Sequence, residues 1–213
     1  MRFTNRAAAG QALAERLAGY RERDPIVLGL PRGGVVVALP VAEHLSAPLD
    51  VIVVRKLGVP WQPELAMGAI GEGGVRVLDE TVRSIARVSE EDVRRVEARE
   101  QAELAARVER FRGDRPPVDL TGRTVLLIDD GIATGSTAKA ACHVARARGA
   151  AEVLLAVPVA PAGVERQFAE AADAVVALHQ PWDFGAVGQF YRDFEQVSDG
   201  EVARILAHPP GHR

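Results

Sequence analysis

The segment Val125-Leu-Leu-Ile-Asp-Asp-Gly-Ile-Ala-Thr-Gly-Ser-Thr137 decides the fold. Four apolar residues run unbroken into two adjacent carboxylates, Asp129 and Asp130. A run without polar alternation suits a strand buried on both faces. Two glycines and three hydroxyls follow, and the alanine-rich stretch from Ser136 to Arg148 reads as a helix. In a strand, small-residue loop and helix of this kind, backbone N–H groups and a helix N-terminus converge on an anion. Hydroxyls of Thr134, Ser136 and Thr137 can donate to phosphate oxygens. The acidic pair would repel a phosphate, so it should face sugar hydroxyls or a divalent cation. A phosphate cradle beside a diol acceptor is the layout that a ribose 5-phosphate requires. The bland alternative is an ordinary glycine-rich strand-to-helix turn. Other nucleotide loops do not fit: G-x-x-x-x-G-K-[ST] is absent, and no G-x-G-x-x-G follows a strand.

Outward from this segment, short apolar runs alternate with helical stretches. The runs are Ile26 to Leu30, Val51 to Val54, Val75 to Leu78, Val153 to Val157 and Ala174 to Leu178. Helix-like segments cover Val35 to Leu45 and Ala162 to Ala172. This order predicts an α/β fold: a mostly parallel central sheet with helices on both faces. Ligands of such sheets sit at the carboxyl ends of the strands. Two loops there carry cations or bare backbone. Gly29-Leu-Pro-Arg-Gly-Gly-Val35 offers the Gly33–Gly34 pair and Arg32, which suits a pyrophosphate. Val53-Val-Arg-Lys-Leu-Gly58 puts Arg55 and Lys56 at an expected strand end, as a clamp for the same group. An ordinary turn and a solvated charge pair are the plain alternatives.

Ser89 to Phe111 reads as one long charged helix, with Ser89 as cap and Asp92 completing an approximate capping box. Its thin stripe of Val93, Val96, Leu104, Val108 and Phe111 could meet the body or a partner. A hairpin is expected through Gly73–Gly74. The interval from 57 to 120 therefore reads as an insertion, in which Glu64 and Glu72 look like exposed acids. Trp182, Phe184, Phe190, Tyr191 and Phe194 crowd the stretch from His179 to Asp199.

The chain has 213 residues, 47% hydrophobic and 26% charged, with formal net charge −3. These values fit one soluble domain and give no sign of a polyanion-coating protein, so no nucleic-acid partner is expected. Cys142, the only cysteine, excludes an intrachain disulfide and a four-cysteine zinc site, and reads as a buried packing residue. His44, His143, His179, His208 and His212 lack metal-ligand spacing and are expected to be structural or superficial. Gln11, Glu15 and Arg16 interrupt the first apolar stretch, which reads as an amphipathic helix capped near Thr4 or Asn5, not a leader. No apolar run reaches membrane-spanning length, so no membrane partner is expected and cytoplasm is the default.

The segment Val125–Thr137 resembles the 5-phosphoribosyl-1-pyrophosphate (PRPP) binding signature of type I phosphoribosyltransferases. The similarity covers roughly 24–58 and 118–180, with the motifs in the family's order. Pro63-Glu-Leu-Ala-Met-Gly-Ala-Ile-Gly71 and Phe184-Gly-Ala-Val-Gly-Gln-Phe-Tyr-Arg-Asp-Phe194 are similar to strings in stand-alone bacterial members of unassigned substrate. The resemblance implies that Asp129 and Asp130 contact the ribose hydroxyls and, with Lys56, carry catalysis. It implies a 5-phosphate site at Ala133, Thr134, Gly135, Ser136 and Thr137. Pyrophosphate would fall to Arg32, Gly33, Gly34, Arg55 and Lys56, in a loop that often holds a strained peptide bond, here considered at Arg32–Gly33. It further implies Mg2+ held through PRPP, with Asp129 or Asp130 as the candidate protein ligand, and a homodimer. One domain over 1–213 is expected, with an insertion at about 59–117 and a C-terminal hood at about 179–199. Trp182, Phe184 and Tyr191 are its candidates for stacking on an acceptor base. The implied reaction transfers the phosphoribosyl group from PRPP to a nitrogen nucleophile, a nucleobase first, and releases pyrophosphate. A PRPP sensor without transferase activity is the rival. A PRPP-making synthase would need a longer chain with two similar domains.

Overall fold

The computed structural model describes residues 2–211; His212 lies outside them. Helix α1 (Arg6–Leu17) starts at Asn5, whose side chain accepts from the Ala8 N–H at 2.9 Å. Strand β1 (Ile26–Gly29) leads into α2 (Gly33–Leu45) and β2 (Leu49–Val51). Three further strands follow, β3 (Val54–Val59), β4 (Gln62–Gly71) and β5 (Val75–Leu78), then α3 (Glu80–Ala86) and α4 (Glu90–Arg112). The chain then resumes β/α alternation through β6 (Thr124–Ile128), α5 (Ser136–Ala147), β7 (Glu152–Val159), α6 (Val164–Phe168) and β8 (Ala174–His179). It finishes with α7 (Asp199–Ala207).

The core sheet has the order β2-β1-β6-β7-β8, with every pair parallel. Alternate residues of its strands enter two separate cores. Val27, Leu126, Ile128, Leu154 and Ala156 pack with α1, α2, α4 and α7. Ile26, Leu28, Val125, Leu127, Val153 and Leu155 pack with α5 and α6. Both faces are covered, which is why these strands read as continuous apolar runs. Cys142 is buried in the second core, and burial pushes its thiol up to about 12.

Two features depart from the expected alternation. Val75–Leu78 forms a strand but joins a second, antiparallel sheet, β3-β4-β5. The expected strand at Val51–Val54 breaks after Val51, and Val54 opens β3. Arg55 and Lys56 therefore lie inside an antiparallel strand, not at the end of a parallel one. The hairpin through Gly73 and Gly74 is present, both glycines having the positive φ that such a turn requires.

The α4 capping box forms as read: Ser89 Oγ accepts from the Asp92 N–H at 3.1 Å, and the Ser89 N–H donates back at 3.2 Å. The stripe residues Val93, Val96, Leu104 and Phe111 are buried in the chain's own core. They do not supply the partner contact that sequence alone allowed. Arg112 is also buried and donates to Asp50 at 3.1 Å and to the Val51 carbonyl at 2.7 Å. Its other nitrogen pairs with Glu72. Glu72 is thus an interior acid, contrary to its exposed appearance in sequence. Burial lowers the Arg112 pKa, and Asp50 opposes that.

Candidate functional site

The sheet order reverses between β1 and β6: the chain leaves β1 towards β2, then returns to lay β6 on its other side. A crevice opens at such a reversal, beyond the strand ends. The loop after β1 and the loop after β6 meet there. Pro31, Arg32, Gly33, Asp129 and Asp130 line one cleft, together with Arg6, Phe194, Gln196 and Val197. Its volume is about 390 Å³. The peptide Pro31–Arg32 is cis, one residue before the bond considered from sequence.

The glycines are there because the two loops touch. A Cβ at Gly33 would collide with the Asp130 carboxylate and lie 2.8 Å from Arg6 Nε. One at Gly34 would lie 2.5 Å from the Ile128 carbonyl and 2.9 Å from Asp129 Cα. Leu30 N–H donates to the Ile128 carbonyl at 2.8 Å, fastening the loops at their base.

The acidic pair is braced from several sides. Arg6 Nε donates to Asp130 Oδ2 at 2.7 Å, and the Asp130 N–H donates to Asp129 Oδ1 at 2.8 Å. Arg6 in turn lies 3.8 Å over the Phe194 ring and donates to the Glu195 carbonyl at 2.7 Å. Burial raises the Asp129 pKa well above the usual carboxylate range, and the Asp130 charge raises it further. Burial also raises Asp130, against the lowering influence of Arg6.

After Asp130 the chain runs through Gly131 and the buried Ile132 to exposed Ala133 and Thr134. Gly135 caps α5 at φ 75°, a conformation that favours glycine. Thr134 Oγ1 and Ser136 Oγ are 3.4 Å apart, and Gln167 donates to the Thr134 carbonyl. The small-residue loop at the start of a 12-residue helix is in place.

The remaining expected residues fall elsewhere. Arg55, Lys56 and Thr137 line a second cleft, between β3 and α4, which shares no lining residue with the first. Arg55 Nε donates to Glu100 Oε2 at 2.8 Å, and Lys56 Nζ lies 3.5 Å from the exposed Glu64 carboxylate. Trp182 is 93% exposed in the loop after β8. Phe184 is half-buried and stacks on Phe190 at 5.5 Å between centroids. Tyr191 is buried, and its hydroxyl donates to the Asp130 carbonyl at 2.6 Å. This corrects its expected stacking role, because the ring has no free face in the cleft and the hydroxyl is already committed. It is a strut for the acidic loop.

Sequence reading missed Arg6, Phe194, Gln196, Val197 and Asp199. Asp199, at the start of α7, takes Arg110 at 2.8 Å and lies 3.4 Å from Arg32. Arg6 carried a faint signal, a lone cation at the start of an otherwise alanine-rich helix. Nothing local could announce that this helix end would meet a loop more than a hundred residues away.

Comparison with known proteins agrees with this geometry. A family model described as phosphoribosyl transferase domain matches residues 4–194. Proteins from two strains of Mycobacterium tuberculosis, each bearing the provisional name phosphoribosyl transferase, are 55% identical over 204 residues. That alignment covers 96% of this chain and 46% of theirs, so the chain spans about half the length of these curated relatives. The crystal structure of TT1426 from Thermus thermophilus superposes with TM-score 0.89 at 48% identity, covering 97% of this chain and 98% of that one. Strand order, the facing loops and these matches lead to one assignment: the chain belongs to the phosphoribosyl transferase domain family.

Proposed function

We propose that this chain transfers the 5-phosphoribosyl group of PRPP to a nitrogen nucleophile, a nucleobase being the first candidate, with release of pyrophosphate. The observation that supports this most is the cleft in which the glycine pair of one loop lies against the acidic pair of the other. Bare N–H groups at Gly33 and Gly34, with Arg32, suit the leaving pyrophosphate. Carboxylates of Asp129 and Asp130 suit the ribose diol. The loop from Ala133 to Thr137 suits the 5-phosphate, at the N-terminus of α5. In this reading the reaction passes through a sugar cation. The chain's contribution is to position PRPP and to stabilise charge on the leaving group. Arg55 and Lys56, which stand at the second cleft, complete the proposed pyrophosphate set with Arg32.

The donor set fits magnesium. Asp129 Oδ1 and Asp130 Oδ2 are committed within the protein, leaving Asp129 Oδ2 and Asp130 Oδ1 without a hydrogen bond among the described residues. Hard oxygens at a strand end are what this cation prefers. When bound, it would neutralise charge on the pyrophosphate oxygens and favour the ionised carboxylates. A homodimer and a cytoplasmic location belong to the same proposal. A monomeric mass by sedimentation would remove the first, and fractionation of the source cell would test the second.

The test is magnesium-dependent pyrophosphate release from PRPP across nucleobases and small amines. The variant Asp129→Asn with Asp130→Asn serves as blank. Release with one compound, absent from the blank, is expected and names the acceptor. Tight PRPP binding without release would favour the sensor reading, and no PRPP binding would sink both.

A further inference from the structure

The five-stranded sheet ends on β2 at one side and on β8 at the other. An edge strand presents a row of backbone N–H and C=O groups to whatever lies beside it. The β2 edge is closed from within the chain. This strand has only 3 residues. The Asp50 carboxylate accepts from the Val51 N–H at 2.8 Å, and Arg112 donates to the Val51 carbonyl at 2.7 Å.

The β8 edge has no such cover. Its residues, Ala174-Val-Val-Ala-Leu-His179, are all half-buried. They pair with β7 on one side, and nothing bonds to the backbone of their other side among the described residues. The strand carries no lysine, proline or carboxylate, the usual means of blunting an edge. Ala174, Val176 and Leu178 pack on the first core, Val175 and Ala177 on the second. Both faces are therefore apolar where the sheet stops. Trp182, shortly beyond the strand end, is 93% exposed. An apolar edge beside an exposed indole is a surface that a covering strand would hide.

The edge is complementary to itself. A two-fold rotation about an axis through Val176, perpendicular to the sheet, lays a second β8 antiparallel to the first. Ala174 then opposes Leu178 of the second copy, Val175 opposes Ala177, and Val176 opposes its own counterpart. This rotation preserves the faces, so apolar side chains meet apolar side chains on each. At both ends of the run Asp173 opposes His179. Opposed residues stand about 4.5–5.5 Å apart at Cβ. Asp173 Oδ2 accepts from Arg146 and from the Val153 N–H, which leaves Oδ1 without a hydrogen bond among the described residues. His179 meets Phe190 edge-on at 5.5 Å between centroids. An acceptor and an imidazole donor thus face each other twice across the seam.

We propose that β8 is the surface at which two copies of this chain join their sheets edge to edge, into one continuous antiparallel seam. The carboxyl ends of the two sets of strands then point in opposite directions. The two PRPP clefts open on opposite sides, and neither blocks the other. The proposal gives a surface to the homodimer and needs nothing from the transferase reading.

The test is mass by sedimentation equilibrium for the wild-type chain and for Val176→Lys and Val176→Glu, each alone and the two mixed in equal amounts. Like charges meet at the two-fold axis in each variant alone, and opposite charges meet in the mixture. The wild type is expected to be a dimer. Each variant alone should dissociate at least about tenfold more readily, and the mixture should recover the dimer. A monomeric wild type would overturn both this proposal and the homodimer. A dimer undiminished in either variant, or a mixture that stays monomeric, would overturn the surface alone. Should the variants misfold by circular dichroism, amide hydrogen exchange over 174–179 of the wild type decides the matter. Exchange at least about tenfold slower in concentrated than in dilute protein is expected, and equal rates would overturn the proposal. None of these readouts uses PRPP, so the transferase reading can fail while this one stands.

Discussion

Replacing Arg112 with methionine should cost the fold about 3–5 kcal/mol at neutral pH. The Arg112 side chain is 2% exposed, and the carboxylates it joins, Asp50 and Glu72, are 7% and 5% exposed. Methionine fills much of the volume but offers no charge and no donor. Asp50 would keep the N–H groups of Val51 at 2.8 Å and Val118 at 3.1 Å. Glu72 would keep only the Val53 N–H at 3.3 Å. Two interior negative charges would remain without their cation, and the Val51 carbonyl would lose its 2.7 Å donor. Breaking one side of a buried ion network costs far more than the net worth of the network. For a chain of this size the loss corresponds to a fall in Tm of about 6–20 °C. Urea unfolding followed by circular dichroism reads it directly. A triple variant, Arg112→Met with Asp50→Asn and Glu72→Gln, should recover a large part, because no charge is then stranded. A loss below about 1 kcal/mol, or no recovery in the triple variant, would refute the reasoning.

Asp129→Asn should stabilise the protein at neutral pH while lowering PRPP affinity. A carboxylate whose folded pKa is raised favours folding fully only below its unfolded pKa, and that contribution disappears as pH rises through the folded value. The gain in Tm should therefore shrink on acidification towards about pH 4, which thermal melts across pH will show. Arg6→Met removes the cation that holds Asp130 down, so the acid limb of PRPP binding should move to higher pH, with Arg6→Lys partly restoring it. Gly33→Ala drives a methyl group into the Asp130 carboxylate and should weaken PRPP binding at least about tenfold while far-ultraviolet dichroism stays unchanged. Tyr191→Phe removes the 2.6 Å donor to the Asp130 carbonyl and should cost about 1–3 kcal/mol in urea unfolding.

The parts of this molecule legible in the sequence are those whose cause is local. Val125–Ile128 announced a buried strand because neighbours on both faces are apolar. The glycines at 33, 34 and 135 announced loops because no Cβ fits there. Ser89 and Asp92 announced a helix start through a contact three residues long. Arg55 and Lys56 were misplaced because a bulged antiparallel strand and a parallel one read alike over six residues. Glu72 was read as a surface acid because a partner forty residues away, Arg112, leaves no mark on its neighbourhood. Tyr191 looked like a recognition residue because an aromatic string reads the same whether it packs inward or faces a ligand. The helix at Asp199–Ala207 went unread, though Ser198 caps it through the Glu201 N–H at 3.1 Å.

The bracing of Asp130 has a consequence for synthesis on the ribosome. Its carboxylate partner Arg6 is made 124 residues earlier, and the Tyr191 strut on its carbonyl is made 61 residues later. At ordinary elongation rates of about 5–20 residues per second, that second interval is about 3–12 s. During it, β6 and its acidic pair are already translated while the aromatic segment that locks them is still to come. The strands can assemble in translation order, but the cleft acquires its final shape only when a late segment closes over an early one.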